Sequence, residues 1–269
     1  MAKNTPVELP ELKIYRPKIT DYKLKMLIYG PPGAGKTTFA ATAELHDITA
    51  PALFVNIEGG MLSIAEANDI GIEEPPSVVD LEGFSHLDQI FWYLAKGDHP
   101  FKTVVIDSLS ELQIVNLEHI VGKQLDKTST SGAKREDEDD IWQEDYGKST
   151  QELRRFVRKF RDLPMHVIFT AHDASSQDKD KNEIVHPALT PKLRTAVSGY
   201  MDIIGYMFTV TETIEDEEGE TEEINRKLLC QPYKKWVAKD RSPGGRLGMV
   251  IDNPDVPTLV NKIMKKEEV

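Results

Sequence analysis

The sequence predicts an α/β fold in which a mainly parallel central sheet is flanked by helices and followed by a C-terminal β-hairpin. Three observations carry that expectation. Residues 24–29, 52–57, 103–106 and 165–171 are short, almost uninterrupted apolar runs, as strands covered on both faces are. Helical stretches separate them, and a parallel sheet needs such crossovers. The first run leads straight into a glycine-rich loop that opens a helix at Phe39-Ala40-Ala41.

Taken in order, residues 1–20 form an extended arm punctuated by Pro6, Pro10 and Pro17, with a short edge strand expected at 12–15. The remainder, 21–269, is expected to be one domain. After the second apolar run comes a helix at 85–96, with Leu87, Ile90, Phe91 and Leu94 on one face and Ser85 with Asp88 as a capping box. The third run ends in Asp107, and a helix follows over about 109–124. Residues 126–140 are polar and aperiodic, and a loop is expected there. A helix over about 150–162 turns Leu153, Phe156, Val157 and Phe160 inward and presents Arg154, Arg158 and Arg161 as an outer stripe. The fourth run is followed by His172 and by a second polar loop expected over 173–183. Residues 206–214 and 224–230 make the hairpin, with its turn at Asp216-Glu217-Glu218-Gly219.

The chemistry is concentrated at Gly30-Pro31-Pro32-Gly33-Ala34-Gly35-Lys36-Thr37-Thr38, which fits G-x-x-x-x-G-K-[ST]. Glycines let the backbone curl so that its N–H groups point inward at phosphate oxygens, and the following helix start adds partial positive charge. Lys36 is placed to reach β/γ-phosphates, and the Thr37 hydroxyl to ligate Mg²⁺. Asp107, closing an apolar strand behind such a loop, has the position of a carboxylate that holds Mg²⁺ through water. The next residue is Ser108, so a water-activating base must come from elsewhere. Glu58, at the C-terminal end of the second strand, lies on the edge where open α/β sheets bind ligands. It is either that base or a solvated glutamate before Gly59-Gly60. His172 ends the fourth strand on the same edge. It is either a sensor of the γ-phosphate or an ordinary surface histidine. Lys239 and Arg241, two apart in an extended stretch, point the same way. They are either cations that reach a phosphate on a neighbouring subunit or exposed loop charges.

Composition sets outer limits. The chain has 269 residues and a formal net charge of −12, which argues against coating nucleic acid through overall charge. A single cysteine, Cys230, excludes an internal disulfide and fits a reducing compartment. The start of the chain has no apolar signal-peptide region, and no apolar run is long enough to span a membrane. A cytoplasmic protein without a membrane partner is therefore expected.

The order Gly30 to Thr38, Glu58, Asp107, His172, then Lys239 with Arg241 resembles the RecA-core ATPases. Within them the chain is most similar to the phage nucleotide-binding proteins related to RecA and RadA, which are associated with single-strand annealing. Trp142-Gln143-Glu144-Asp145-Tyr146-Gly147 and Val167-Ile168-Phe169-Thr170-Ala171-His172 also resemble that group. The resemblance implies Mg²⁺-dependent ATP hydrolysis stimulated by single-stranded DNA, and action in phage recombination within a bacterial cytoplasm. It also implies a homo-oligomer, ring or filament, and a single-strand-binding protein as a partner. It makes Glu58 the catalytic glutamate and puts His172 at the glutamine switch of RecA. Lys239-Asp240-Arg241 is similar to the Lys-Asn-Arg element of RadA, and the two polar loops fall at the DNA-binding loops. The first of those loops is strongly acidic, unlike a DNA contact. Three other readings stand beside this one: a small-molecule (nucleotide) kinase, although no arginine-rich lid is visible; an ATP-switched assembly protein without DNA binding; and a ring helicase motor, although no strand-separating domain is visible.

Overall fold

A computed structural model describes residues 16, 18–65, 67–123, 141–216 and 219–264. Most of the N-terminal arm, the edge strand expected at 12–15, the acidic loop at 126–140 and the turn residues Glu217 and Glu218 lie outside the described residues.

The strands are β1 (Lys25–Tyr29), β2 (Ala52–Asn56), β3 (Ser77–Asp80), β4 (Thr103–Asp107), β5 (His166–Ala171), β6 (Asp173–Gln177), β7 (Glu183–Pro187), β8 (Ile203–Asp216), β9 (Gly219–Leu229), β10 (Lys239–Asp240) and β11 (Val250–Asp252). The helices are α1 (Lys36–Ala41), α2 (Leu62–Ala65), α3 (His86–Lys96), α4 (Leu109–Gly122), α5 (Gln143–Arg161), α6 (Pro191–Tyr200) and α7 (Val256–Met264). The main sheet has the order β11-β9-β8-β1-β5-β4-β2-β3, with β10 also paired to β8. From β8 to β3 every pairing is parallel. The β8–β9 hairpin and β11 extend it antiparallel.

Alternation along the central strands splits the core in two. Leu27, Tyr29, Val104, Ile106, Val167 and Phe169 face a cluster completed by residues of α3, α4, α5 and α6. Met26, Ile28, Phe54, Val105 and Ile168 face the opposite cluster, completed by α1 and α7. Coverage on both sides is why apolar residues fill most positions of these strands, with the polar residues mainly at or near their ends. It also leaves the C-terminal strand ends, with the loops after β1, β2, β4 and β5, as the place where polar groups converge.

Three expectations need correction. Residues 173–183 are not a loop. Asp173–Gln177 and Glu183–Pro187 pair antiparallel as a separate two-stranded sheet. Its turn is built by Asp178, whose Oδ1 accepts the Asp180 and Asn182 N–H groups, each at 2.8 Å. Exposed polar residues on these strands hid the period-two signal. Ser85 caps nothing with its side chain. α5 begins seven residues before position 150, because the wholly buried Asp145 accepts the Trp142 N–H at 2.9 Å and closes an earlier first turn. The strand β3, four residues with two valines, has too little pattern to be read from sequence. α6 and α7 carry signals that were readable. Thr190-Pro191 opens the first, and Val256, Leu259, Val260 and Ile263 line the second.

Candidate functional site

β1 is the second strand in from the antiparallel edge of the parallel block, and the loop after it turns back over its end. A Cβ on Gly30 would meet the Met207 carbonyl oxygen at 2.1 Å, so only glycine fits between β1 and β8. Gly33 and Gly35 have φ of +77° and +93°, the left-handed conformations that curl the loop. Lys36 at the start of α1 folds back over it, donating Nζ–H to the carbonyls of Gly30 (2.9 Å) and Pro31 (3.0 Å). Burial pushes the Lys36 ammonium below its usual range, opposed by the carboxylates of Glu58, Asp107 and Asp173. Pro31, Pro32 and Ala34 fill the remaining loop positions, and Thr38 follows on the first turn of α1.

Asp107 sits at the end of β4, buried, facing the loop. Its Oδ2 accepts the Thr37 hydroxyl at 2.7 Å, and its Oδ1 accepts the hydroxyl of Thr170 on β5. Burial raises the Asp107 carboxyl above its ordinary value; the Thr170 and Thr37 hydrogen bonds and Lys36 pull it back, and Glu58 pushes it further up. An all-oxygen pair of one hydroxyl and one carboxylate suits Mg²⁺, which takes few protein ligands and completes its shell with phosphate and water. Among the described residues no group of three or more His, Cys, Asp or Glu side chains makes an all-protein metal cage. Thr170 was missed from sequence. The signal was a hydroxyl inside an otherwise apolar strand next to the Asp107 strand.

Glu58 follows β2. Its N–H, with that of Ile57, points at the Asp107 carbonyl (3.2 and 2.9 Å), which ties the ends of β2 and β4 together. Its Oε1 lies 2.8 Å from His172 Nε2. The His172 N–H is in turn held by Ser110 Oγ at 3.0 Å, and the Ser110 hydroxyl donates to Ala188 O at 3.2 Å. Ala188 follows β7, so Ser110 clamps both ends of the β6–β7 hairpin to the start of α4. Ser110 was also missed; it lies three residues after Asp107 in an unremarked helix turn.

Lys239 and Arg241 are placed elsewhere. β10 pairs with β8 at Ile203 and Ile204, level with Met26 and Leu27, at the N-terminal ends of the parallel strands. Lys239 Nζ donates to Ser198 O and Met201 O at 2.6 Å each, and Arg241 Nη2 to Gly199 O at 3.2 Å. Both cations thus hold the terminal carbonyls of α6, on the opposite edge of the sheet from the phosphate loop. A cavity of about 550 Å³ on that edge touches Arg241 but none of the phosphate-binding groups. The basic face of α5 divides. Lys159 pairs with Asp88 (2.8 Å) and Arg161 with Asp162 (2.6 Å), whereas Arg154 and Arg158 are exposed beside Tyr200.

A parallel α/β sheet, a phosphate loop after its first strand, and a buried aspartate bonded to the loop threonine define a P-loop NTPase. The family described as an AAA domain matches residues 22–242, most of the chain, and the chain belongs to that family. A search of curated proteins finds no match. Nucleotide binding and ATP hydrolysis are the general activity of this class. Among the described residues no helix is long and apolar enough to cross a membrane.

Proposed function

We propose that the protein is a RecA-like, Mg²⁺-dependent ATPase that acts on single-stranded DNA in phage recombination or annealing and works as a homo-oligomer. One observation carries the reading: the 2.8 Å contact between Glu58 and His172, with the β6–β7 hairpin beginning at the next residue. A carboxylate facing the phosphate loop takes a proton from the attacking water as its oxygen bonds to the γ-phosphorus and the bond to the β-phosphate oxygen breaks. Lys36 and backbone N–H groups of the loop would hold the phosphates, and Thr37 and Asp107 would hold Mg²⁺, which would supply charge neutralisation on the phosphate oxygens. His172 touches Glu58 and leads directly into a surface hairpin. A nucleotide that draws Glu58 toward its γ-phosphate must break or strain that contact, which gives the hairpin, with Lys179 and Lys181 in its tip region, a nucleotide-dependent position. The exposed Arg154 and Arg158 are further candidates for phosphate contacts.

The test is ATP hydrolysis and sedimentation with and without single-stranded DNA. Stimulation by DNA is expected, with affinity that rises on adding a non-hydrolysable ATP analogue and falls with salt. Glu58→Gln should bind ATP yet hydrolyse it roughly 10²–10⁴-fold more slowly. A Glu58→Gln rate equal to that of Glu82→Gln would return Glu58 to the solvated class. Hydrolysis indifferent to DNA, with no DNA binding at low salt, would remove the recombination reading and favour an ATP-switched assembly protein.

A further inference from the structure

Behind the phosphate loop lies a cavity of about 290 Å³ with which none of the groups above has been credited. Gly35 and Thr38 form its near wall, at the point where the loop becomes α1. Phe39, Ile70 and Met207 give it apolar sides, and Arg226 of β9 closes it from above. The position of Arg226 is specific. A Cβ built on Gly35 would meet its Nε at 2.7 Å and its Cδ at 2.9 Å, so the side chain lies flat across the last glycine of the loop. Its backbone is fixed in that place. Asn253 N donates to Arg226 O at 2.7 Å, and Arg226 N donates to Asn253 Oδ1 at 3.3 Å. Asn253 accepts this with φ of +42°, a conformation that asparagine tolerates better than most residues. Among the described residues no carboxylate pairs with the Arg226 guanidinium.

We infer that this cavity is the nucleoside site, and that Arg226 stacks its guanidinium on the base in the same subunit whose loop holds the phosphates. The inference rests on the nucleotide-binding reading and deepens it. Phosphates cradled by residues 30–38 leave the nucleoside half only a short reach away, and the cavity opens where that reach ends, beside Thr38. A cavity with apolar sides at Phe39, Ile70 and Met207, polar groups at Thr42, Asn253 and Asp255, and one planar cation suits an aromatic heterocycle that carries polar edges. A second phosphate group would call for several donors, and the slot offers one cation beside the Asp255 carboxylate. The geometry also gives Gly35 a second duty: any side chain there would displace Arg226 as well as strain the loop.

The experiment compares two probes on the full-length chain with Mg²⁺: ATP, and inorganic tripolyphosphate, which has the phosphates but no nucleoside. Lys36→Ala should lose both. Arg226→Ala should weaken ATP binding about two- to fivefold while leaving tripolyphosphate unchanged, the scale expected of a cation stacked at an exposed site. Arg226→Lys should not restore ATP, because the ammonium lacks the plane. Leu45→Trp, placed at the half-exposed rim so that folding is spared, should block ATP and not tripolyphosphate by filling the slot. Equal weakening of both probes by Arg226→Ala would make Arg226 a phosphate ligand and overturn the assignment. So would wild-type ATP affinity in both Arg226→Ala and Leu45→Trp. If the wild-type chain binds neither probe, the nucleotide reading itself is at fault; if it binds both through Lys36 and the variants do not discriminate, only the nucleoside assignment falls.

Discussion

Thr170→Val isolates the control that the sheet exerts on Asp107, the carboxylate proposed to hold Mg²⁺. Thr170 is fully buried in β5, and its hydroxyl donates to Asp107 Oδ1. Valine keeps the volume and removes only the donor, so no cavity is created. A hydrogen bond to an ionised acceptor contributes about 1.5–3 kcal/mol. That bond favours the ionised form, so losing it should raise the Asp107 carboxyl further. Burial already holds this group above its ordinary value, with Thr170 the largest opposing influence. The direction follows: a carboxyl with a raised pKa is protonated at higher pH, and the protonated form binds Mg²⁺ poorly. At limiting Mg²⁺ the acid limb of ATP hydrolysis should therefore move to higher pH in Thr170→Val. Excess Mg²⁺ should largely reverse the effect, and Thr170→Ser should behave as wild type. The assay is initial rate against pH at two Mg²⁺ concentrations. An acid limb in Thr170→Val that superimposes on the wild type at low Mg²⁺ would falsify the claim that Asp107 is tuned from β5.

Two other expectations concern stability and assembly. His166 is wholly buried, and burial lowers its pKa from 6.5 to about 4, while its Nδ1 accepts the Leu24 N–H at 3.2 Å. The unfolded chain therefore binds a proton at this site below pH 6.5 that the folded chain refuses until about pH 4, so stability is intact above that window and falls as pH drops through it. The cost should reach about 2 kcal/mol at pH 5. Urea melts at pH 7 and pH 5 should show His166→Asn, which keeps an acceptor but no titrating ring, losing less than wild type on acidification; an equal loss would place the acid sensitivity elsewhere. Lys239 and Arg241 lie on the far edge of the sheet from their own phosphate loop, so any action on phosphate must come from a neighbouring subunit. Mixing Lys36→Ala with Arg241→Ala should then recover part of a loss on the order of 10³-fold. Recovery of nothing, together with wild-type activity independent of concentration down to the monomer, would leave the pair as caps of α6.

Sequence alone determined the parts of this protein whose physics is local. The phosphate loop is legible because its glycines, lysine and threonine must be adjacent for one backbone curl to work. The four central strands are legible because burial on both faces leaves them few polar positions, and Asp107 and Glu58 stand out as charges that close such runs. Edge elements were not legible. β3 is too short to carry a pattern, β6 is built of half-buried and exposed polar or small residues, and only Val185, His186 and Pro187 of β7 are buried, with the turn made by a single aspartate side chain. Pairings between distant segments belong to tertiary structure alone. No spacing announces that Thr170 would donate to Asp107, 63 residues away, because parallel neighbours are set by sheet order and register. The contact of Glu58 with His172 depends on β2, β4 and β5 ending at one level. The same holds for Lys239 and Arg241. Their spacing shows that they share a side of a strand, but only the pairing of β10 with the lower half of β8 puts them under α6 and away from Gly30. Arg226, in a strand that reads as ordinary hairpin, comes to lie across Gly35 because β9 folds back beside β8, whose Met207 already packs on Gly30. A residue's own segment sets its chemistry, and the sheet order sets what that chemistry can reach.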